Sequence, residues 1–146
     1  MNCTIECVTQ ADEELQAAFS RLIPQLNPTH TAPSLAELER VLAEGATELL
    51  IARDGPGAAI LGALALVVFS TPTGRHAWIE DVVVDETARG RGIGEALSRA
   101  ALARAAERGA DAVNLTSHPG RTAANQLYQK IGFEPRLSNL YRYKLG

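Results

Sequence analysis

Apolar and polar positions in the first third of the chain predict a short strand followed by two helices. The stretch CTIECV alternates between apolar and polar side chains, as a strand does. Between residues 11 and 26 apolar side chains recur at helical spacing, and Pro24 marks where that pattern fails. Ser34 followed by Glu37 is a capping-box pattern, which predicts a second helix that runs to about Gly45.

The middle of the chain predicts three strands. TELLIARD and AILGALALVVFS are separated by the turn signal GPG, which predicts a hairpin. RHAWIEDVVVD follows after TPTG and predicts the third strand. The helix-forming run over residues 93–108 then predicts a helix that Gly109 ends.

The remaining segments predict a crossover and a second helix. AVNLTS is a short strand, and a strand, a helix and a strand in this order are expected to be parallel. A helix is predicted over residues 119–131, where Gly132 ends it, and FEPRLSNLYRYKL supplies one or two final strands. The order predicts one α/β domain over residues 1–146, with helices on a mixed sheet.

Composition and charge restrict the classes of function. The 146 residues are 46% hydrophobic and 21% charged, which is ordinary for a globular domain. No apolar run is long enough to span a membrane, and the N-terminus lacks secretory features, so we expect a cytoplasmic protein without a membrane partner. A formal net charge of −3 argues against nucleic-acid binding and slightly favours cationic or neutral small substrates.

The stretch ARGRGIGEAL, residues 88–97, contains more glycine than a strand-to-helix turn needs. A dinucleotide fingerprint requires a different glycine spacing near the chain start, and a P-loop requires a Gly-Lys-Ser/Thr ending. Backbone N–H groups at a glycine-rich helix start can instead converge on an anion such as a pyrophosphate. The two arginines of this loop can add charge-assisted hydrogen bonds or stay solvated.

Two motifs together resemble one family. RGRGIG at residues 89–94, preceded by IEDVVV, resembles the acetyl-CoA-binding motif of the GNAT N-acetyltransferases. AANQLYQKIGFE resembles the later A-x-x-L-Y-x-x-x-G-F segment of that family, and the similarity covers residues 78–133 closely. The resemblance implies the GNAT acyl-CoA N-acyltransferase fold, an α/β fold with a mostly antiparallel central sheet, one parallel splayed strand pair and flanking helices.

The resemblance implies acetyl-CoA as cosubstrate, with no metal. Pantetheine would insert between the splayed strands and bond to the backbone of Val82, Val83 and Val84, which core packing alone also explains. The pyrophosphate would be held by the loop residues Arg89, Gly90, Arg91, Gly92, Ile93 and Gly94. No group of His, Cys and carboxylate residues has metal-ligand spacing.

Tyr128 matches the tyrosine of the family that protonates the departing thiolate, although an amphipathic core tyrosine is the alternative. Arg121, Asn125 and Tyr128 share one helix edge by spacing. Arg121 stands where many relatives have Asn, so Asn125 is the candidate for the cofactor contact. His118 is expected to be a helix-start residue rather than a substrate ligand.

The attacking amine must lose a proton, and Glu80 is the predicted base. Asp81 and a water chain are the alternatives. Neighbouring strand residues face opposite sides unless a bulge intervenes, so only one of Glu80 and Asp81 is expected to face the cleft. The resemblance implies an acetyl-CoA-dependent N-acetyltransferase that moves acetyl directly to the amine of a small molecule, such as a polyamine, aminosugar or amino acid. Three alternatives stay open: a protein N-terminal or lysine acetyltransferase, a non-catalytic acyl-CoA-binding regulator, and a nucleotide-binding module of another fold. The last predicted strands also leave a homodimer open.

Overall fold

Five strands form one mixed sheet in the computed structural model of the protein, which describes residues 3–146. In sheet order the strands are β1 (Thr4–Cys7), β2 (Thr47–Arg53), β3 (Ile60–Thr71), β4 (Gly74–Val84) and β5 (Ala112–Asn114). The first four pair antiparallel, whereas β4 and β5 are parallel. The predicted mostly antiparallel sheet with one parallel pair is therefore confirmed.

Four helices accompany the sheet. They are α1 (Glu13–Leu26), α2 (Leu35–Ala43), α3 (Ile93–Glu107) and α4 (Thr122–Ile131), and a short 3-10 helix spans Glu86–Ala88. The capping box predicted at Ser34 is present, since its side chain accepts from the Glu37 backbone while the Glu37 side chain accepts from the Ser34 backbone. The crossover from β4 through α3 to β5 is also as predicted.

Helix α1 continues past Pro24, where the sequence pattern indicated an interruption. Proline removes one backbone donor, but it lies close to the end of the helix, which the Asn27 N–H closes on the Ile23 carbonyl at 2.9 Å. Burial of Phe19 and Leu22 on the preceding turns stabilises the helix more than the missing hydrogen bond costs.

The two faces of the sheet are covered by different helices. Alternate strand residues point to opposite faces, so Ala63 joins the apolar core under α1 while Gly62 faces Ile93 and Leu97 of α3. The core on the α1 side contains Leu15, Ala18, Phe19, Leu22, Leu38, Leu49, Ile51, Ile60, Ala63 and Val83. Because Val83 packs there, the end of β4 is fixed in position.

The chain divides into two compact units, the residues up to Thr116 and the residues Ser117–Gly146. The assignment of residues 1–146 to one domain stays a prediction.

Residues 133–146 form neither helix nor strand, so the expectation of final strands is wrong. A strand requires ladder hydrogen bonds, and the second unit contains no other strand to supply them. Five large apolar side chains of this tail are exposed, namely Leu137, Leu140, Tyr141, Tyr143 and Leu145.

Candidate active site

The parallel strands β4 and β5 part after a short stretch of pairing. The last paired residues are Trp78 and Asn114, whereas β4 continues to Val84. The edge of β4 from Ile79 to Val84 therefore has no ladder partner on this side within residues 3–146. Backbone donors and acceptors on such an edge can bind an extended ligand that carries amide groups.

The parted segment includes Val82, Val83 and Val84, for which a contact with pantetheine stays a prediction. Val83 is buried in the core on the α1 side, and its two neighbours are half-buried. Core packing through the Val83 side chain and ligand binding through the backbone are compatible, because side chains and strand hydrogen bonds point in perpendicular directions.

A β-bulge lies in the same segment of β4. Ala63 pairs with Val83 and Ala65 pairs with Glu80, so β4 contains one residue more than β3 over this stretch. Asp81 has a φ of 53°, and it is the non-glycine residue with positive φ among residues 3–146. Because of the bulge, Glu80 and Asp81 are both exposed rather than facing alternately inward and outward.

The two adjacent carboxylates affect each other. The pKa of Glu80 is raised above its ordinary value, first by partial desolvation of its carboxylate, although the residue as a whole is exposed, and second by the negative charge of Asp81. A carboxylate with a raised pKa is a better proton acceptor near neutral pH than an ordinary surface glutamate. This supports the sequence-based choice of Glu80 as the candidate base.

The glycine loop has the backbone conformation of an anion cradle. Gly90 and Gly92 have φ values of 78° and 79°, a left-handed conformation that other residues rarely adopt. A Cβ at either position would meet no atom within 4 Å, so the space above the loop is open. Gly92 caps α3 without a side-chain hydrogen bond, and the first N–H groups of the helix have no acceptor within the helix itself. An anion with several oxygens fits this arrangement.

The two loop arginines have different partners. The Nε of Arg89 donates to the carbonyl oxygen of Val84 at 3.3 Å. The Nη2 of Arg91 forms an ion pair with the carboxylate of Asp54, which lies in the turn between β2 and β3. Both arginines are exposed. A phosphate that binds Arg91 therefore competes with Asp54, a residue that sequence reasoning missed because it lies far away in the chain.

Asp85 fixes the chain where it enters the loop. Its carboxylate accepts hydrogen bonds from the Thr87 N–H at 3.0 Å, the Thr87 hydroxyl at 2.8 Å and the Arg21 Nε at 2.8 Å. These donors hold the pKa of Asp85 at about 2, with Thr87 contributing most. Sequence reasoning missed Asp85, although an Asp two residues before Thr at a strand end is a local turn signal.

Tyr128 lies in the second unit, on α4. It is 6% exposed, and its ring meets the Phe133 ring edge to face at a centroid distance of 5.7 Å. Burial raises the pKa of the phenol, while Arg121 opposes the shift weakly. The side chain therefore stays protonated at neutral pH, as a proton donor must.

Asn125 and His118 hold the turn that precedes α4. The Asn125 Nδ2 donates to the carbonyl oxygens of His118 and Arg121 at 3.0 and 2.8 Å. The His118 Nδ1 accepts from the Gly120 N–H at 2.9 Å, in agreement with its expected position before the helix. A cofactor contact of Asn125 stays a prediction.

Neither a membrane span nor a metal site is found in the part of the chain that the structure describes. No helix there has the length and apolar character needed to cross a bilayer. No cluster of three or more His, Cys, Asp and Glu side chains there is arranged to bind a metal ion.

Known proteins resemble the chain in sequence and in fold. The model of the Acetyltransferase (GNAT) family matches residues 10–133. Glucosamine 6-phosphate N-acetyltransferase 1 of Oryza sativa subsp. japonica is 35% identical over 130 residues, covering 82% of this chain and 75% of that protein.

Two solved structures share the fold at low identity. An aminoglycoside acetyltransferase, meta-AAC0020, from an uncultured soil metagenomic sample superposes with a TM-score of 0.84 at 21% identity, covering 99% of this chain and 97% of the other. AAC(6')-Iy in complex with the bisubstrate analogue CoA-S-monomethyl-acetylneamine superposes with a TM-score of 0.77 at 19% identity, covering 99% and 100%.

Proposed function

Because the chain belongs to the GNAT acetyltransferase family, we propose that it transfers acetyl from acetyl-CoA directly to the amine of a small molecule. The amine is of the polyamine, aminosugar or amino-acid type. This class is supported by the names of two similar proteins: the rice relative is a glucosamine 6-phosphate N-acetyltransferase, and the soil protein is an aminoglycoside acetyltransferase. The observation that carries the proposal is the parting of β4 and β5 directly before a left-handed glycine loop.

The parted edge and the loop fit the two parts of acetyl-CoA. Pantetheine has two amide groups, which match the backbone groups of Val82, Val83 and Val84. The pyrophosphate matches residues 89–94, where Gly90 and Gly92 leave the backbone N–H groups accessible and the start of α3 adds its dipole. Asn125 is the further proposed cofactor contact.

The chemistry needs one proton acceptor and one proton donor. The amine nitrogen attacks the thioester carbonyl carbon, whose oxygen is polarised by a strand N–H near Val82. The amine proton passes to Glu80, directly or through water. The C–S bond then breaks, and the thiolate of coenzyme A takes a proton from the Tyr128 hydroxyl.

An amine panel tests the acceptor class. Release of free coenzyme A is followed with polyamines, aminosugars, amino acids and peptides, at fixed acetyl-CoA. Fastest release with a small amine supports the proposal. Preference for peptides would assign the chain to protein acetylation, and tight acetyl-CoA binding without release with any amine would make it a regulator.

Replacement of Tyr128 by Phe tests the proton donor. We expect kcat to fall about 10²- to 10⁴-fold, because general-acid catalysis contributes that much. Tyr141→Phe is the matched control, since Tyr141 is exposed in the tail and its loss should leave kcat unchanged. Equal rates for wild type and Tyr128→Phe with the best amine would remove Tyr128 from this role.

A further inference from the structure

Helix α1 contacts the chain at the point where β4 leads into the glycine loop. Arg21 of α1 donates through Nε to the Asp85 carboxylate at 2.8 Å and through Nη2 to the Ile60 carbonyl oxygen. Its guanidinium therefore bridges the start of β3 and the end of β4. The Asp85 side chain in this pair is 8% exposed and the Arg21 side chain 45%, so solvent partly screens the interaction.

A second contact comes from the next turn of the same helix. The Gln25 Oε1 accepts from the Glu86 N–H at 2.8 Å, and the Gln25 Nε2 donates to the Arg21 carbonyl oxygen at 3.2 Å. The Glu86 N–H is the first backbone donor of the 3-10 helix and has no acceptor within that helix. Gln25 thus supplies the acceptor that this helix lacks.

Both contacts end on a segment with several hydrogen bonds of its own. The Asp85 carboxylate binds Thr87 at its backbone N–H and hydroxyl, and the Ala88 N–H donates to the Asp85 carbonyl at 2.8 Å. Ala88 is buried, and the next residue is Arg89, the first residue of the loop. The position of residues 85–88 therefore determines where the loop begins.

The opposite end of α1 has a separate attachment. Glu14 accepts from Arg53 of β2 at 2.8 and 2.9 Å, and this ion pair does not touch residues 85–94. Besides its buried apolar side chains, the helix thus has polar attachments at both ends, and the Arg21 and Gln25 contacts are the ones that end on residues 85–88.

We propose that Arg21 and Gln25 are positioning residues for acetyl-CoA, which hold residues 85–88 so that the loop is preorganised for the pyrophosphate. The inference rests on the proposed function, because that function assigns the pyrophosphate to residues 89–94. A preorganised loop binds more tightly because less conformational freedom is lost on binding.

Two acetyl donors distinguish this positioning role from a general contribution to the stability of the fold. Acetyl-CoA carries the pyrophosphate and the adenosine phosphate attached to it, whereas S-acetylpantetheine lacks this whole part but keeps the thioester and the amides. For Arg21→Met and Gln25→Met we expect kcat/KM to fall about five- to thirtyfold with acetyl-CoA through KM, and to stay unchanged with S-acetylpantetheine. Gln25→Glu keeps an oxygen acceptor and should restore most of the acetyl-CoA value.

Glu14→Gln is the matched control, since it weakens the other attachment of α1. We expect it to leave the ratio of the two kcat/KM values unchanged. Equal loss with both donors in the Arg21 and Gln25 variants, or no loss with either, would overturn the inference.

Gly92→Val distinguishes this failure from failure of the proposed function. If Gly92→Val weakens acetyl-CoA binding in calorimetry and the α1 variants do not, only the role of α1 is wrong. If Gly92→Val binds acetyl-CoA as the wild type does, the loop does not hold the pyrophosphate, and both the role of α1 and the proposed pyrophosphate site at residues 89–94 fall, whereas acetyl transfer itself is tested by the amine panel.

Discussion

Replacement of Gly62 by Ala should displace the start of α3. A Cβ at Gly62 would lie 3.1 Å from the Val83 carbonyl oxygen and 3.2 Å from methyl carbons of Ile93 and Leu97. Comfortable contacts between carbon atoms are about 3.5–4.0 Å, so the neighbours must move by about 0.3–0.8 Å. The Val83 carbonyl oxygen is part of the β4 backbone and gives way less easily than side chains do, so the displacement falls first on the Ile93 and Leu97 side chains of α3.

The expected cost follows from two opposing contributions. Overpacking of a core costs about 1–3 kcal/mol, and loss of glycine flexibility in the unfolded chain returns about 0.4–1 kcal/mol. Taking the middle of each range, we expect Gly62→Ala to lower the free energy of unfolding by about 1.3 kcal/mol, and the Tm by about 3–5 °C. Because Ile93 follows Gly92 directly, the KM for acetyl-CoA should rise as well.

Urea unfolding and steady-state kinetics measure both effects. Gly55→Ala is the control, since Gly55 lies in a turn where a Cβ meets no atom within 4 Å. Leu97→Val shortens one of the crowded side chains, so the penalty of Gly62→Ala should be smaller in that background. If Gly62→Ala unfolds at the same urea concentration as Gly55→Ala, the close packing of α3 on β3 does not have the energetic role given to it.

Three further variants test single interactions. Asp54→Asn should release Arg91 and tighten coenzyme A binding about 1.4- to 5-fold, which is the range expected from loss of an exposed ion pair. Weaker binding in calorimetry would contradict the competition between Asp54 and phosphate for Arg91. Asp81→Asn removes the charge that helps raise the pKa of Glu80, so the acidic limb of the kcat/KM profile should move to lower pH; an unmoved limb would argue against Glu80 as the base. Ser98→Ala should stabilise the protein by about 1 kcal/mol, because the Ser98 hydroxyl is buried in α3 without a hydrogen-bond partner among the described residues, and a lower Tm would refute this.

The order of elements follows from local patterns, with the exception of the tail. Caps such as Ser34 and end glycines such as Gly109 and Gly132 operate within a few residues, so the sequence displays them directly. The tail after Phe133 has the composition of a strand, but a strand also requires a partner, and local composition does not supply one.

The details of the site depend on contacts between distant residues. The bulge at Asp81 arises from the pairing of β4 with Ala63 and Ala65, which no pattern within β4 reveals. Arg21 and Asp85 are 64 positions apart, and their pairing depends on how α1 packs on the sheet. The glycine loop was predictable because its backbone requirement is imposed by its own residues.

The parted strands also give the protein an internal reporter. Backbone N–H groups of β4 that point to the open edge between Ile79 and Val84 have no ladder partner there in residues 3–146, so their hydrogens should exchange rapidly with solvent deuterium. The N–H groups on the opposite edge, bonded to β3, should exchange slowly. A ligand that completes the sheet would slow the first set and leave the second unchanged. Exchange along one strand would then report occupancy residue by residue, without a labelled substrate and before any acceptor is known.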